Sequence, residues 1–503
     1  MDLLQHLGLG FGVAFQPVNL LYALIGALVG TLIGVLPGIG PVATIAMLLP
    51  ITYALQPVSA LIMLAGIYYG AQYGGSTTSI LLNMPGETSS AVTCLDGYQM
   101  ARKGQAGAAL ATAALGSFFA GSVSTVFIAT VATPLSDFAL KFGPAEYCAL
   151  MTLGLIGSVV LAHGSLLHAI TMVVLGLVLG LVGTDVNSGL ARYSFGVPEL
   201  TDGLGVASVA MGLFGFAEIV VNLQSEEKRE LLTSNVKGLW LNRAQFRKAW
   251  PAVLRGTGVG SILGLLPGGG AMLASFASYA VEKKISRHPE EFGRGAIQGV
   301  AGPESANNAG AQTSFIPLLT LGIPENAVMA LMVGAMTIHN IQPGPQVMTS
   351  NPALFWGLIA SMWIGNLMLV VLNLPMIGIW VKLLKVPYRY LYPSILLFMA
   401  IGVFSISNQP FDCFLMACFG LFGYVCVKLG CEPAPLILGF ILGPLMEENL
   451  RRAMLLSRGD PFVFVSPSKP ISLGFLIAAA ALLIIIALPA LRKKREEVFV
   501  EET

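Results

Sequence analysis

Leu32–Pro41 reads LIGVLPGIGP, and Ile262–Ala271 reads ILGLLPGGGA. Gly34, Pro37, Gly38 and Gly40 align with Gly264, Pro267, Gly268 and Gly270 at one offset of 230 (264 − 34). Proline removes a helical donor and crowds the preceding turn, while glycine admits left-handed backbone. Each stretch therefore ends one helix and begins another. Working outward, no Asp, Glu, Lys or Arg occurs from Leu3 to Gly86, and none from Asn326 to Val381. A soluble fold cannot keep such runs from water, whereas a bilayer requires them. The 503 residues are 55% hydrophobic and 11% charged, with mean hydropathy +0.78. Soluble domains carry about 25% charged residues. Soluble enzymes, nucleic-acid binders and disordered scaffolds are excluded. The expected fold class is an all-α polytopic membrane protein.

Apolar segments fall near 19–50, 57–73, 106–134, 143–163, 165–184 and 203–221, then near 256–281, 310–338, 353–381, 391–407, 412–429, 433–446 and 471–491. Some are too long for one crossing and others too short, giving about 10–14 transmembrane helices at roughly 20 residues each. Arg492, Lys493, Lys494 and Arg495 follow the last segment, and the positive-inside rule places that tail in the cytoplasm. The polar stretch 226–250, which includes Lys228, Arg229, Lys237, Arg243, Arg247 and Lys248, reads as a cytoplasmic linker. The expected organisation is a first transmembrane repeat at 15–225, the linker, a second repeat at 251–470, a C-terminal helix at 471–491 and a tail at 492–503. A net charge of +1 offers no field for polyanions, and the N-terminus lacks the pattern of a cleavable signal peptide. The six cysteines, at 94, 148, 413, 418, 426 and 431, contain no C-x-x-C pair and read as buried small hydrophobes.

The two halves correspond beyond the Leu-Pro-Gly breaks. TTSILLNMPGE (Thr77–Glu87) faces QTSFIPLLTLGIPE (Gln312–Glu325), and GLFGFAEIV (Gly212–Val220) faces GPLMEENL (Gly443–Leu450). Tandem duplication is the usual architecture of secondary transporters, with broken or re-entrant helices meeting at the binding site. Inverted topology is the expectation, although the span count leaves the parity open.

Half-helix N-termini at Gly38, Gly40, Gly268 and Gly269 would present free N–H groups suited to carboxylate. A second pair of polar interruptions lies downstream. Gln72–Thr78 and Asn83–Thr88 supply Ser76, Thr77, Thr78, Asn83, Pro85, Gly86 and Glu87. Asn307–Ser314 and Gly322–Asn326 supply Asn307, Asn308, Gln312, Thr313, Ser314, Pro324, Glu325 and Asn326. Hydroxyl and amide groups suit both a desolvated Na⁺, with Thr78, Asn83, Thr313 and Ser314 as its ligands, and carboxylate oxygens. Glu87 and Glu325 would couple protons, ligate a cation or cap a half-helix, because a carboxylate at membrane depth is expensive and tends to be functional. Asp96, Glu218 and Glu304 have weaker claims, since a loop position would explain each. His163 and His168 read as interfacial, and His339 is the histidine nearest the second motif. Arg102 and Lys103 suit either an anion entrance or a solvated turn.

GVLPGIGP, YYGAQYGGSTTSILLNMPGE and AGPESANNAGAQTSFIPLLTLGIPENAVMALMVGA resemble the large membrane subunit of the tripartite tricarboxylate transporters, the TctA family. The resemblance runs from about residue 15 to about 470. It implies a multi-pass permease of the bacterial inner membrane that takes up citrate or a related tri- or dicarboxylate by Na⁺ or H⁺ symport. It also implies two partners, a small four-helix membrane subunit and a periplasmic solute-binding protein, with no cofactor beyond the coupling ion. Two other readings compete: an intramembrane enzyme, and a passive channel for small organic anions. The chain lacks H-E-x-x-H, G-x-S-x-G and a Walker-type loop, and paired helix breaks do not suit a passive channel.

Overall fold

Helix α1 (Leu3–Ala14) leads into α2 (Pro17–Val35), and the chain resumes as α3 (Pro41–Thr52) with Gly40 at its N-cap. The computed structural model describes residues 3–36, 40–161, 165–185, 187–224, 238–266, 270–384 and 388–487. Gly38 and the pair Gly268 and Gly269 lie outside them, as do His163 and the basic tail. From α4 (Pro57–Leu82) the chain runs through short helical turns to α5 (Ala106–Ala139), α6 (Pro144–Leu161) and α7 (Leu166–Gly180). A two-stranded antiparallel hairpin follows, β1 (Gly183–Thr184) with β2 (Ala191–Arg192). Helix α8 passes through Val206–Ala210, a π-helical turn at Met211–Phe216 and Ala217–Gln224.

The second break behaves like the first. Helix α9 (Arg243–Leu263) ends before it, and α10 (Gly270–Ile285) begins after it. α9 starts inside the stretch expected as linker, capped by Asn242, whose side chain accepts from Gln245 N. Helices α11 (Gln298–Thr313), α12 (Ala327–Ile338), α13 (Pro352–Asn373), α14 (Ile377–Leu383) and α15 (Tyr388–Ser407) follow. The chain continues through α16 (Pro410–Lys428), α17 (Ala434–Leu456) and α18 (Pro470–Ala487). Among the described residues, five helical spans are long and apolar enough to cross a membrane, and seven shorter apolar helices accompany them.

Two helix pairs frame the interior through glycine. In α2, Gly26, Gly30 and Gly34 rest on Met63, Ile67 and Ala71 of α4, where a methyl group would strike backbone. Along α9 and at its C-cap, Gly256, Gly260 and Gly264 rest in the same way on Gly302, Ala306 and Gly310 of α11. A spacing of four puts each set on one helix face, and small residues let membrane helices approach closely.

The interior differs from the sequence reading in two respects. Gln72–Thr78 and Asn307–Thr313 are not interruptions; α4 and α11 run through them. Their hydroxyls return to the helix, Ser76 Oγ to Gln72 O at 3.1 Å and Thr313 Oγ1 to Ala309 O at 3.0 Å. Local satisfaction of this kind spares the helix from opening. The chain does turn in the other two expected interruptions, Asn83–Thr88 and Gly322–Asn326, at Asn83 (φ 60°) and Gly322 (φ 74°), both left-handed. Nor are Asp96, Glu218 and Glu304 loop residues, since they sit in the helical turn Cys94–Tyr98, in α8 and in α11.

Asp96 fastens the halves together. Its carboxylate accepts from Gly295 N at 2.7 Å, Ala296 N at 2.8 Å and Tyr279 Oη at 3.0 Å, just ahead of α11. An acid at a helix N-terminus is favoured by the helix dipole. Beside it, Lys103 Nζ donates to Arg294 O at 2.6 Å. At the head of α18, Lys469 pairs with Glu146 in the first turn of α6 at 3.3 Å.

Candidate functional site

Helices α4 and α11 bring the two polar clusters together, and Glu304 is the joint. Its side chain is fully buried. One carboxylate oxygen accepts from Ser76 Oγ at 2.5 Å and from Asn307 Nδ2 at 3.3 Å, and the other accepts from Thr93 Oγ1. Asn307 Oδ1 in turn accepts from Asn308 Nδ2 at 2.6 Å, which also donates to Ser117 Oγ on α5 at 2.7 Å. Sequence reasoning underrated Glu304, because it lies between the apolar segments near 256–281 and 310–338, where a loop position would explain it.

One face of α11 is left with unpartnered polar atoms. Ser305, Asn308 and Gln312 follow spacings of three and four, which align them on a helix. Ser305 Oγ, Asn308 Oδ1 and both amide atoms of Gln312 are buried without a hydrogen-bond partner in the chain. A buried polar group left unpaired costs about 1–3 kcal/mol, and four such atoms lie along this face. On the first half, Ser76 and Thr77 border a small cavity with Tyr73, Leu110 and Asn373.

A second acidic group lies nearby. Ser89 Oγ stands between Gln72 Oε1 (2.7 Å) and Glu87 Oε1 (2.5 Å). Glu325 is 1% exposed; its Oε2 accepts from Asn326 Nδ2 at 2.8 Å, and Asn326 Nδ2 also reaches Tyr68 Oη at 3.2 Å. Asn326 Oδ1 caps α12 by accepting from Met329 N at 2.9 Å. The half-helices after the breaks start on protein carboxylates rather than open space. Gly40 N donates to Glu218 Oε1 at 3.2 Å, and the Glu325 carboxylate lies against Gly270, where a Cβ would collide with it.

The remaining candidates divide by role. Thr78 Oγ1 donates to Val35 O at 2.9 Å and Gly34 O at 3.2 Å, closing the end of α2, while Thr313 stands against Gly264 at the end of α9. Ser314 Oγ bonds back to Gly310 O at 2.8 Å. Gly86 is wedged between Gly34 and Gly75, and Pro324 is buried. Asn83 and Pro85 are exposed and apart from the buried group; Asn83 serves as the C-cap of α4. His339 ends α12 and His168 opens α7. Sequence reasoning missed Tyr68 and Ser89, which carry no pattern of their own.

The electrostatics have one sign. The buried charged side chains among the described residues are Asp96, Glu146, Asp185, Glu282, Glu304 and Glu325, all acidic. No arginine or lysine is buried among the described residues; Arg255, midway along α9, forms a bidentate pair with Glu282 at 2.7 Å while its own side chain stays 41% exposed. In the hairpin, the Asn187 N–H, Ser188 and Arg451 hold the Asp185 carboxyl down to about 2.

The family model of the tripartite tricarboxylate transporter TctA family matches residues 20–438. The chain belongs to the TctA family. It is a multi-pass membrane subunit of a tripartite tricarboxylate transporter, a family whose assemblies include further subunits. This TctA-family chain is 62% identical over 502 residues to the "Uncharacterized 52.8 kDa protein in TAR-I ttuC' 3'region" of Agrobacterium vitis, covering all of both chains. It is 63% identical over 243 residues to the "Uncharacterized protein in TAR-II ttuC' 3'region" of the same organism, covering 48% of this chain and all of that one. No solved structure matches it.

Proposed function

We propose that the chain is the permease of a binding-protein-dependent secondary transporter that takes up citrate or a related tri- or dicarboxylate with Na⁺ or H⁺. Its place would be the bacterial inner membrane, beside a small four-helix membrane subunit and a periplasmic binding protein. The observation that carries this reading is the Glu304 junction, where a buried acid binds hydroxyl and amide groups of both halves and unpaired Asn308 and Gln312 atoms lie on the same helix. Amide and hydroxyl donors hold carboxylate oxygens, and carboxylate, amide and hydroxyl oxygens hold Na⁺ or a proton. With no buried guanidinium or ammonium among the described residues to neutralise the cargo, its charge must be balanced by the coupling cation. The corresponding glycine faces of the α2–α4 and α9–α11 pairs support a duplicated architecture with the site between its halves.

The test is uptake of labelled citrate, malate and succinate into proteoliposomes holding the full transporter, with Na⁺ and pH gradients imposed separately. Saturable uptake of at least one acid, driven by one of the gradients, is expected. An acid chemically altered on passage would establish an enzyme, and unsaturable flux a channel; either would overturn the proposal.

A further inference from the structure

A cavity of about 300 Å³ opens beside Lys469 at the head of α18, the end that the positive-inside expectation for Arg492–Arg495 would put outside the cytoplasm. Its walls come from the end of α5, the start of α6 and the last turns of α17, and its floor is Leu321–Gly322. Cavities of roughly 300–1,000 Å³ are typical of small-molecule sites. The floor adjoins the candidate site in the chain, since Ile323, Pro324 and Glu325 follow directly. The loop Gln342–Gln346 (QPGPQ) forms one side and is tied to its surroundings. Ser136 Oγ donates to Pro345 O at 3.2 Å, and a methyl group on Gly322 would meet Pro343 O.

The lining contains a single cation, Arg452, with the amides of Gln342, Gln346 and Asn449 around the same space. Arg452 pairs with Glu448 one helical turn away, and both side chains are well exposed, 62% and 45%. An exposed i,i+4 pair is weak, and a guanidinium has donors to spare beyond one carboxylate. Arg452 therefore keeps donors for a carboxylate that enters the cavity, and Glu448 is a weakly held competitor for them.

We propose that this cavity is an outer receiving site for a small organic carboxylate, separate from the buried Glu304 site. The incoming carboxylate takes the place of Glu448 on Arg452 and is supported by the Gln342 and Gln346 amides before it passes Gly322. The assignment rests on the carboxylate-transport reading above and adds where the cargo is first met.

The test uses the full chain in nanodiscs with Leu140→Cys, a lining residue without polar function, as reporter. Its modification by a membrane-impermeant thiol reagent is followed by peptide mass spectrometry, so native cysteines do not interfere. Citrate, malate and succinate are the probes, and sulfate is the control. At least one acid is expected to slow modification, and sulfate is not. Arg452→Ala should raise the protecting concentration about tenfold or more, and Arg452→Lys should restore part of it. Glu448→Gln, which removes the competing carboxylate, should lower it. In the full transporter Arg452→Ala should raise KM with kcat little changed. Unaltered protection in Arg452→Ala, or carboxylate uptake without any protection, overturns the outer site alone. Neither protection nor uptake with any of the three acids overturns the carboxylate reading as well.

Discussion

At the scale of single residues, Glu304 concentrates the most consequence. Replacing it with Gln preserves shape but removes the charge that Ser76, Asn307 and Thr93 address. Hydrogen bonds to charged groups contribute about 1.5–3 kcal/mol. Uptake by Glu304→Gln should fall at least about tenfold while the protein still reaches the membrane, as proteoliposome flux and surface expression would report. Thr78→Val should also lower uptake roughly tenfold or more. It strips a donor from Val35 O and Gly34 O at the lip of the first break, and unpaired buried acceptors cost about 1–3 kcal/mol each. Unchanged carboxylate and cation affinities in Thr78→Val and Thr313→Val would place the site elsewhere. Composition made the buried hydroxyls and amides legible, because polar groups stand out in a charge-free run. Their partners were not legible: Ser76 meets Glu304 across 228 residues of chain, and no local pattern records such a distance.

At the scale of elements, the breaks were readable because proline and glycine act on their own backbone. The course of α4 and α11 was not, since the same small polar residues that open a chain in a loop bond back to it in a helix. The glycine faces give a sharp comparison within α9. Gly264→Ala would press on Gly310 and Thr313, whereas Gly258→Ala meets nothing within 4 Å. Overpacking costs about 1–3 kcal/mol, while alanine in an open helical position is favourable over glycine. Thermal unfolding in detergent should therefore be lowered in Gly264→Ala and unchanged or raised in Gly258→Ala. The hairpin offers a pH test. Its Asp185 carboxyl lies at about 2, below the ordinary value near 3.9. Stability from this group is complete above about 3.9 and is lost as pH falls through about 2. Hydrogen exchange at the hairpin should accelerate across that interval, and Asp185→Asn should show no such step.

At the scale of the whole molecule, the chain depends on what surrounds it. A site without fixed positive side chains holds free anion weakly, and delivery by a binding protein raises the local concentration. Uptake by this subunit alone should be far below that of the three-part assembly, and equal rates would contradict the scheme. The acid-only interior has one more consequence, and it is electrical. An anion moving inward works against the negative interior of a cell, at about 2.3 kcal/mol per charge per 100 mV. In a compartment whose own fixed charges are acids, cargo is tolerated only when cations at least cancel it. The complex that crosses is then neutral or positive, and the membrane voltage that expels free citrate does not oppose its carried form. An interior-negative potassium diffusion potential should leave uptake unchanged or speed it, and a current of negative sign would mean that the anion crosses without its escort.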